Sequence, residues 1–84
     1  MRATERLSGV GLKVTRPRLA ILDVFQKHEC RHLTVDDVQR WLSEHGLHIG
    51  PATIYRVLNN FTELGILSRP ILDLPAAVYE LEQN

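Results

Sequence analysis

The chain has 84 residues, 44% hydrophobic and 24% charged, a size and balance that suit one small globular domain and exclude two domains, intrinsic disorder and collagen-like repeats. Ten basic and ten acidic residues cancel to a formal net charge of +0, which argues against a protein that coats nucleic acid without regard to sequence. The charge is nevertheless polarised: Arg2, Arg6, Lys13, Arg16 and Arg18 face only Glu5 in the first 20 positions, while positions 70–84 hold Asp73, Glu80 and Glu82 and no base.

In chain order, residues 3–8 predict a short helix broken by Gly9 and Gly11, an N-terminal arm with some freedom to move. Thr15-Arg16-Pro17-Arg18 opens a second helix, with Thr15 as cap and Pro17 in the first turn, where a missing N–H costs nothing. It runs to about Gln26. Leu19, Ile21, Leu22, Val24 and Phe25 bury most of its circumference and leave Arg16, Arg18, Asp23 and Lys27 outside. Thr34 and Asp37 form a capping box with a shortened acid, and Asp36 adds charge that the helix dipole favours, so a third helix starts there. Val38, Trp41, Leu42 and His45 carry its apolar spacing, and Gly46 ends it.

Gly50-Pro51 then begins a fourth helix over about 51–64, with the stripe Ile54, Val57, Leu58, Phe61 and Leu64 stopped by Gly65. Beyond it, 66–69 and 77–81 read as two short strands that pair as a hairpin, separated by a proline-bounded segment. The fold class is mainly α (α+β): a winged helix-turn-helix of three to four helices followed by a two-stranded antiparallel wing.

The fourth helix carries the functional reading. Successive residues advance by about 100°, so the side opposite its stripe shows Ala52, Tyr55, Arg56 and Asn59, with Thr53 at the flank. A small residue permits close approach, a ring or methyl can touch the thymine methyl, and Arg and Asn supply hydrogen bonds to bases or phosphates in a major groove. The amides after Gly50 can receive a phosphate. Residue by residue a plainer account serves, with Tyr55 covering a neighbouring helix and Arg56 a solvated charge. The combination favours double-stranded DNA, because this helix follows another by a tight connection, is trailed by a hairpin and has the basic Lys13–Arg18 segment nearby.

His28, Cys30 and His32 cluster ahead of the third helix, but as a metal motif the spacing is weak, and His28, His45 and His48 also read as surface or packing residues. One cysteine excludes an internal disulfide and any CxxC motif. There is no GxSxG, P-loop or HExxH, so the chain is not expected to be an enzyme. No apolar run reaches the roughly 18 residues of a membrane span, and MRATERLSG lacks a signal core, so a cytoplasmic protein without a membrane partner is expected. The rival function is a winged helix used as a protein–protein interaction module.

The stretches GLKVTRPRLAIL, RHLTVDDV, GPATIYRVLNNFTELGIL and VYELEQN together resemble the N-terminal DNA-binding domain of the ferric uptake regulator family of bacterial metal-responsive repressors, most closely its iron-type members. The resemblance covers nearly the whole chain. It implies a recognition helix reading an AT-rich operator, with Tyr55 touching thymine, Arg56 contacting DNA, Lys13 entering the minor groove, and Thr15 and Arg18 near the phosphates. A narrow AT-rich minor groove attracts such a cation on physical grounds as well.

It also implies that His32 and Glu80 join ligands from a second domain in a regulatory metal site binding Fe²⁺ or Zn²⁺. Typical members continue into that dimerising domain. This chain stops at Asn84 and is therefore expected to be a winged-helix domain over 1–84, a monomer holding at most half the metal site, either an excised domain or a stand-alone short form without metal control. Family members commonly have a Gly-Gly turn in the wing, where this chain has Ile71-Leu72-Asp73-Leu74-Pro75-Ala76, so its wing is expected to contact DNA differently or barely.

Overall fold

The computed structural model describes residues 3–28, 32–72 and 74–82. Its elements run α1 (Ala3–Gly9), α2 (Arg16–Lys27), α3 (Val35–Glu44), α4 (Pro51–Glu63), β1 (Leu67–Ser68) and β2 (Glu80–Leu81), the order of a winged helix. The two threonines start their helices as expected. Thr15 Oγ1 accepts from Arg18 N at 3.4 Å, with Pro17 in the first turn. At α3 the box is reciprocal: Asp37 N donates to Thr34 Oγ1, and Thr34 N donates to Asp37 Oδ2, both at 3.0 Å. Two amides that the helix cannot satisfy are thereby bonded, a cap worth about 1 kcal/mol.

α2 is the central element and packs against α1, α3, α4 and β2. Its Ile21, Leu22, Val24 and Phe25 meet Val38 and Leu42 of α3 and Ile54, Leu58 and Phe61 of α4 in one core. α3 and α4 form the helix-turn-helix. Gly46, at φ 82°, lets Leu47 N return to Leu42 O at 2.8 Å, and Gln39 Nε2 donates to Ile49 O at 3.2 Å, fixing the connection. No helix among the described residues is long and apolar enough to cross a membrane.

Four expectations change. The N-terminal segment is not a loose arm: Leu7 is 0% exposed within the core, and Arg6 Nη2 donates to Ile66 O at 3.5 Å. Leu64 leaves the stripe at 42% exposed, because it is the C-cap, beyond the last helical turn, and Gly65 at φ 78° redirects the chain behind it.

The strands are shorter than 66–69 and 77–81. They pair antiparallel through Leu67 with Leu81 and Ser68 with Glu80, and Pro70, with no N–H, cannot extend the ladder. Finally, the other edge of the second strand is also used. Leu33 and Tyr79 exchange both backbone bonds, at 2.9 and 2.8 Å, so the loop before α3 adds a rudimentary third strand.

Candidate nucleic-acid interface

α4 begins without a side-chain cap. Gly50 occupies the N-cap in extended conformation, Pro51 opens the first turn, and no acidic residue lies in that turn. The amides of Ala52 and Thr53 therefore have no partner from a capping side chain, and the positive end of the helix is not neutralised. Burial divides the helix as its period requires. Ile54, Val57, Leu58 and Phe61 are buried, whereas Pro51, Ala52, Thr53, Tyr55 and Arg56 are exposed, Tyr55 at 48% despite its large ring. No described carboxylate pairs with Arg56. The result is an uncompensated guanidinium beside a phenol and two small side chains, on a helix held rigidly from behind.

Lys13 lies on the exposed connection between α1 and α2. Arg18 Nη1 donates to Lys13 O at 2.9 Å, which fixes that loop against the helix carrying the arginine. Arg18, expected outside, is half-buried, and one nitrogen of its guanidinium is engaged in that exposed hydrogen bond. The Thr15 hydroxyl is likewise engaged in its cap, and Arg16 is exposed. Because α2 packs against both α1 and α4, the Lys13 loop and the α4 face are mounted on one body.

Asn59 departs from the expected outward set. It is half-buried, and its Oδ1 accepts from Tyr79 Oη at 3.3 Å. Helical period fixes its azimuth alongside Ala52, Tyr55 and Arg56 but is blind to the strand that overhangs the second half of α4. Burial pushes the Tyr79 phenol above its usual pKa, Arg69 pulls it partly back, and neighbouring Tyr55 raises it again. The hydroxyl keeps its proton at neutral pH and can donate. The Arg69 guanidinium carbon lies 5.8 Å from the Tyr79 ring centre. Neither Tyr79 nor Arg69 was marked as a site residue by the sequence, since their relation to α4 exists only after the hairpin folds back.

His32 and Glu80 do meet: Nε2 and Oε2 are 2.8 Å apart, and Ser68 Oγ donates to the other carboxylate oxygen at 3.5 Å. Imidazole and carboxylate are apt donors for Fe²⁺ or Zn²⁺. Two donors are half a tetrahedral set, however, and among the described residues no group of three or more His, Cys, Asp and Glu could hold a metal. Cys30 lies outside the described residues. His28 and His45 instead pack on Trp41: His45 stacks at 3.7 Å, His28 meets it edge-on at 6.1 Å, and each Nδ1 is 2.8 Å from a carbonyl of its own helix. His48 is exposed. Titrating Zn²⁺ or Fe²⁺ into the chain in a calorimeter is expected to give no tight stoichiometric binding; a sharp one-to-one isotherm would refute that expectation.

Comparison with known proteins gives concordant results. The family model described as "Ferric uptake regulator family" matches residues 9–84. The ferric uptake regulation protein of Neisseria gonorrhoeae is 54% identical over 79 residues, covering 94% of this chain and 55% of the relative. Among solved structures, the ferric uptake regulator of Pseudomonas aeruginosa with manganese superposes with a TM-score of 0.92 at 41% identity, over 99% of this chain and 62% of that one. The Vibrio cholerae ferric uptake regulator, described as showing a rearrangement of its DNA-binding domains, gives 0.87 at 42% identity over 95% and 61%. The chain therefore spans about half the length of the relatives it matches.

Proposed function

This chain belongs to the ferric uptake regulator family, and from that premise we propose that it is the sequence-specific DNA-reading head of a metal-responsive bacterial transcriptional repressor, with iron the controlling metal. The observation that carries the reading is the exposed face of Ala52, Thr53, Tyr55 and Arg56 on a helix whose opposite side is fully packed. Such a helix can enter a major groove with its N-terminal turn foremost. Its open amides and Arg56 meet phosphate or base edges, and Tyr55 presents an apolar edge to thymine methyls. Lys13, carried on the same body, is suited to the narrow minor groove of an AT-rich operator. No catalytic role is proposed.

Metal control is proposed only for an assembly in which other residues complete the His32–Glu80 pair, because two donors do not make the site. A single head also contacts one half-site, and specific affinity commonly depends on two. We infer that the chain alone is a monomer in solution. Light scattering is expected to return the mass of one chain, and a stable dimer would contradict the inference.

The test of DNA reading is selection from a random duplex library, followed by titration of the recovered and scrambled sequences at several salt concentrations. A preference for the recovered duplex, with affinity falling as salt rises, is the expected result. Uniform weak binding to all duplexes would leave protein docking in its place. One observation favours that second reading: Ile71 at the wing tip is 101% exposed, with Leu72 and Leu74 exposed beside it.

A further inference from the structure

Asn59 shares the azimuth of Tyr55 and Arg56 on α4, yet its amide is not free to turn. Its Oδ1 accepts from Tyr79 Oη at 3.3 Å, and Tyr79 is itself immobilised. The tyrosine is 0% exposed, both its backbone groups are bonded to Leu33, and the next residue, Glu80, begins β2. The phenol therefore cannot swing to follow the amide, and the amide must follow the phenol. No described residue accepts a hydrogen bond from Asn59 Nδ2.

An asparagine recognises adenine by using both ends of its amide, donating to N7 and accepting from the N6 amino group. The carbonyl oxygen of Asn59 faces Tyr79, and a flipped amide, with Nδ2 donating to the phenol oxygen, would leave the buried phenolic proton without an acceptor among the described residues. What Asn59 retains for a ligand is its donor end. A donor matches N7 of either purine, guanine O6, thymine O4 or a phosphate oxygen, but leaves the amino group of adenine unanswered, so the two-bond recognition of adenine is lost.

We propose that Tyr79 is a positioning residue that sets base preference on α4 by holding Asn59 as a hydrogen-bond donor, without touching DNA itself. The proposal rests on the DNA-reading function above. It also places this contact beside the His32–Glu80 pair, since Tyr79 and Glu80 are neighbours in chain and Leu33 follows His32.

The test uses the full chain as parent, Tyr79→Phe, Asn59→Ala and the double variant, with duplexes recovered from the random library and their single-base variants as probes. Tyr79→Phe is expected to raise relative affinity for adenine about fivefold at the one position facing Asn59, the order of a single hydrogen bond, with the salt slope unchanged. Asn59→Ala should abolish that difference, so that the double variant matches Asn59→Ala alone. Identical base profiles for parent and Tyr79→Phe, or a Tyr79→Phe effect that persists without Asn59, would overturn the proposal. The Asn59 side-chain amide resonances in the DNA-free chain separate the two levels of the claim. A shift in Tyr79→Phe supports the coupling even if the parent shows no duplex preference, an outcome that defeats DNA reading and the specificity role with it. Unmoved resonances defeat the coupling itself.

Discussion

Replacing Arg56 by alanine is expected to weaken binding to the selected duplex by about 1–3 kcal/mol, and to reduce the salt slope by about one if the guanidinium meets a phosphate. The size follows from its surroundings. Arg56 is exposed, no described carboxylate neutralises it, and the apolar side of α4 holds its backbone in place, so little reorganisation opposes the contact. Lys13→Ala should behave similarly, through a minor-groove or phosphate contact. Tyr55→Ala should differ in kind, lowering the ratio of selected to scrambled affinity while leaving the salt slope unchanged, because a phenol edge reads thymine methyls and releases no counterions. Anisotropy titrations over a salt series separate the two behaviours. If all three variants bind as the parent does, the α4 face is not the reading surface.

Phe61→Ala is expected to cost about 3–5 kcal/mol of folding stability, the usual loss for a buried phenylalanine truncated in a packed core. Phe61 is fully buried in the shared core, and its carbonyl accepts from Ile66 N at 2.9 Å, at the turn leading into the wing. At about 0.05–0.15 kcal/mol per residue, a chain of this length has only about 4–13 kcal/mol in total. The melting temperature should therefore fall by more than about 12 °C, as small domains lose about 4–8 °C per kcal/mol. Leu64→Ala makes the comparison sharp. Both residues belong to the stripe written in the sequence, yet Leu64 is 42% exposed, so its loss should stay within about 0.5 kcal/mol. Equal destabilisation by the two variants would show that α4 does not end where the structure ends it.

These cases also mark how far local reasoning reaches. Thr15, Thr34 with Asp37, Gly46, Gly50-Pro51 and Gly65 announce the helix boundaries because caps and left-handed turns involve atoms only a few residues apart. The exposure of Ala52, Tyr55 and Arg56 was legible for the same reason, being a consequence of period alone. Asn59 shares their azimuth but is half-buried, since the same period cannot register Tyr79, twenty residues further on. Arg18, which the same period places outside, is half-buried because its side chain turns back to the carbonyl of Lys13.

What the sequence by itself determined is the set of helices, their apolar faces and the chemistry offered at the start of α4, all of which depend on interactions within one or two turns of chain; it placed the hairpin but not the extent of its pairing. Only the tertiary structure decided that Leu7 anchors the N-terminal helix, that Leu33 bonds Tyr79, that His32 meets Glu80 and that Tyr79 holds Asn59. Each of those contacts joins residues brought together by burial of a shared core. Their geometry depends on how α2, α4 and the wing pack, which no local pattern of residues encodes.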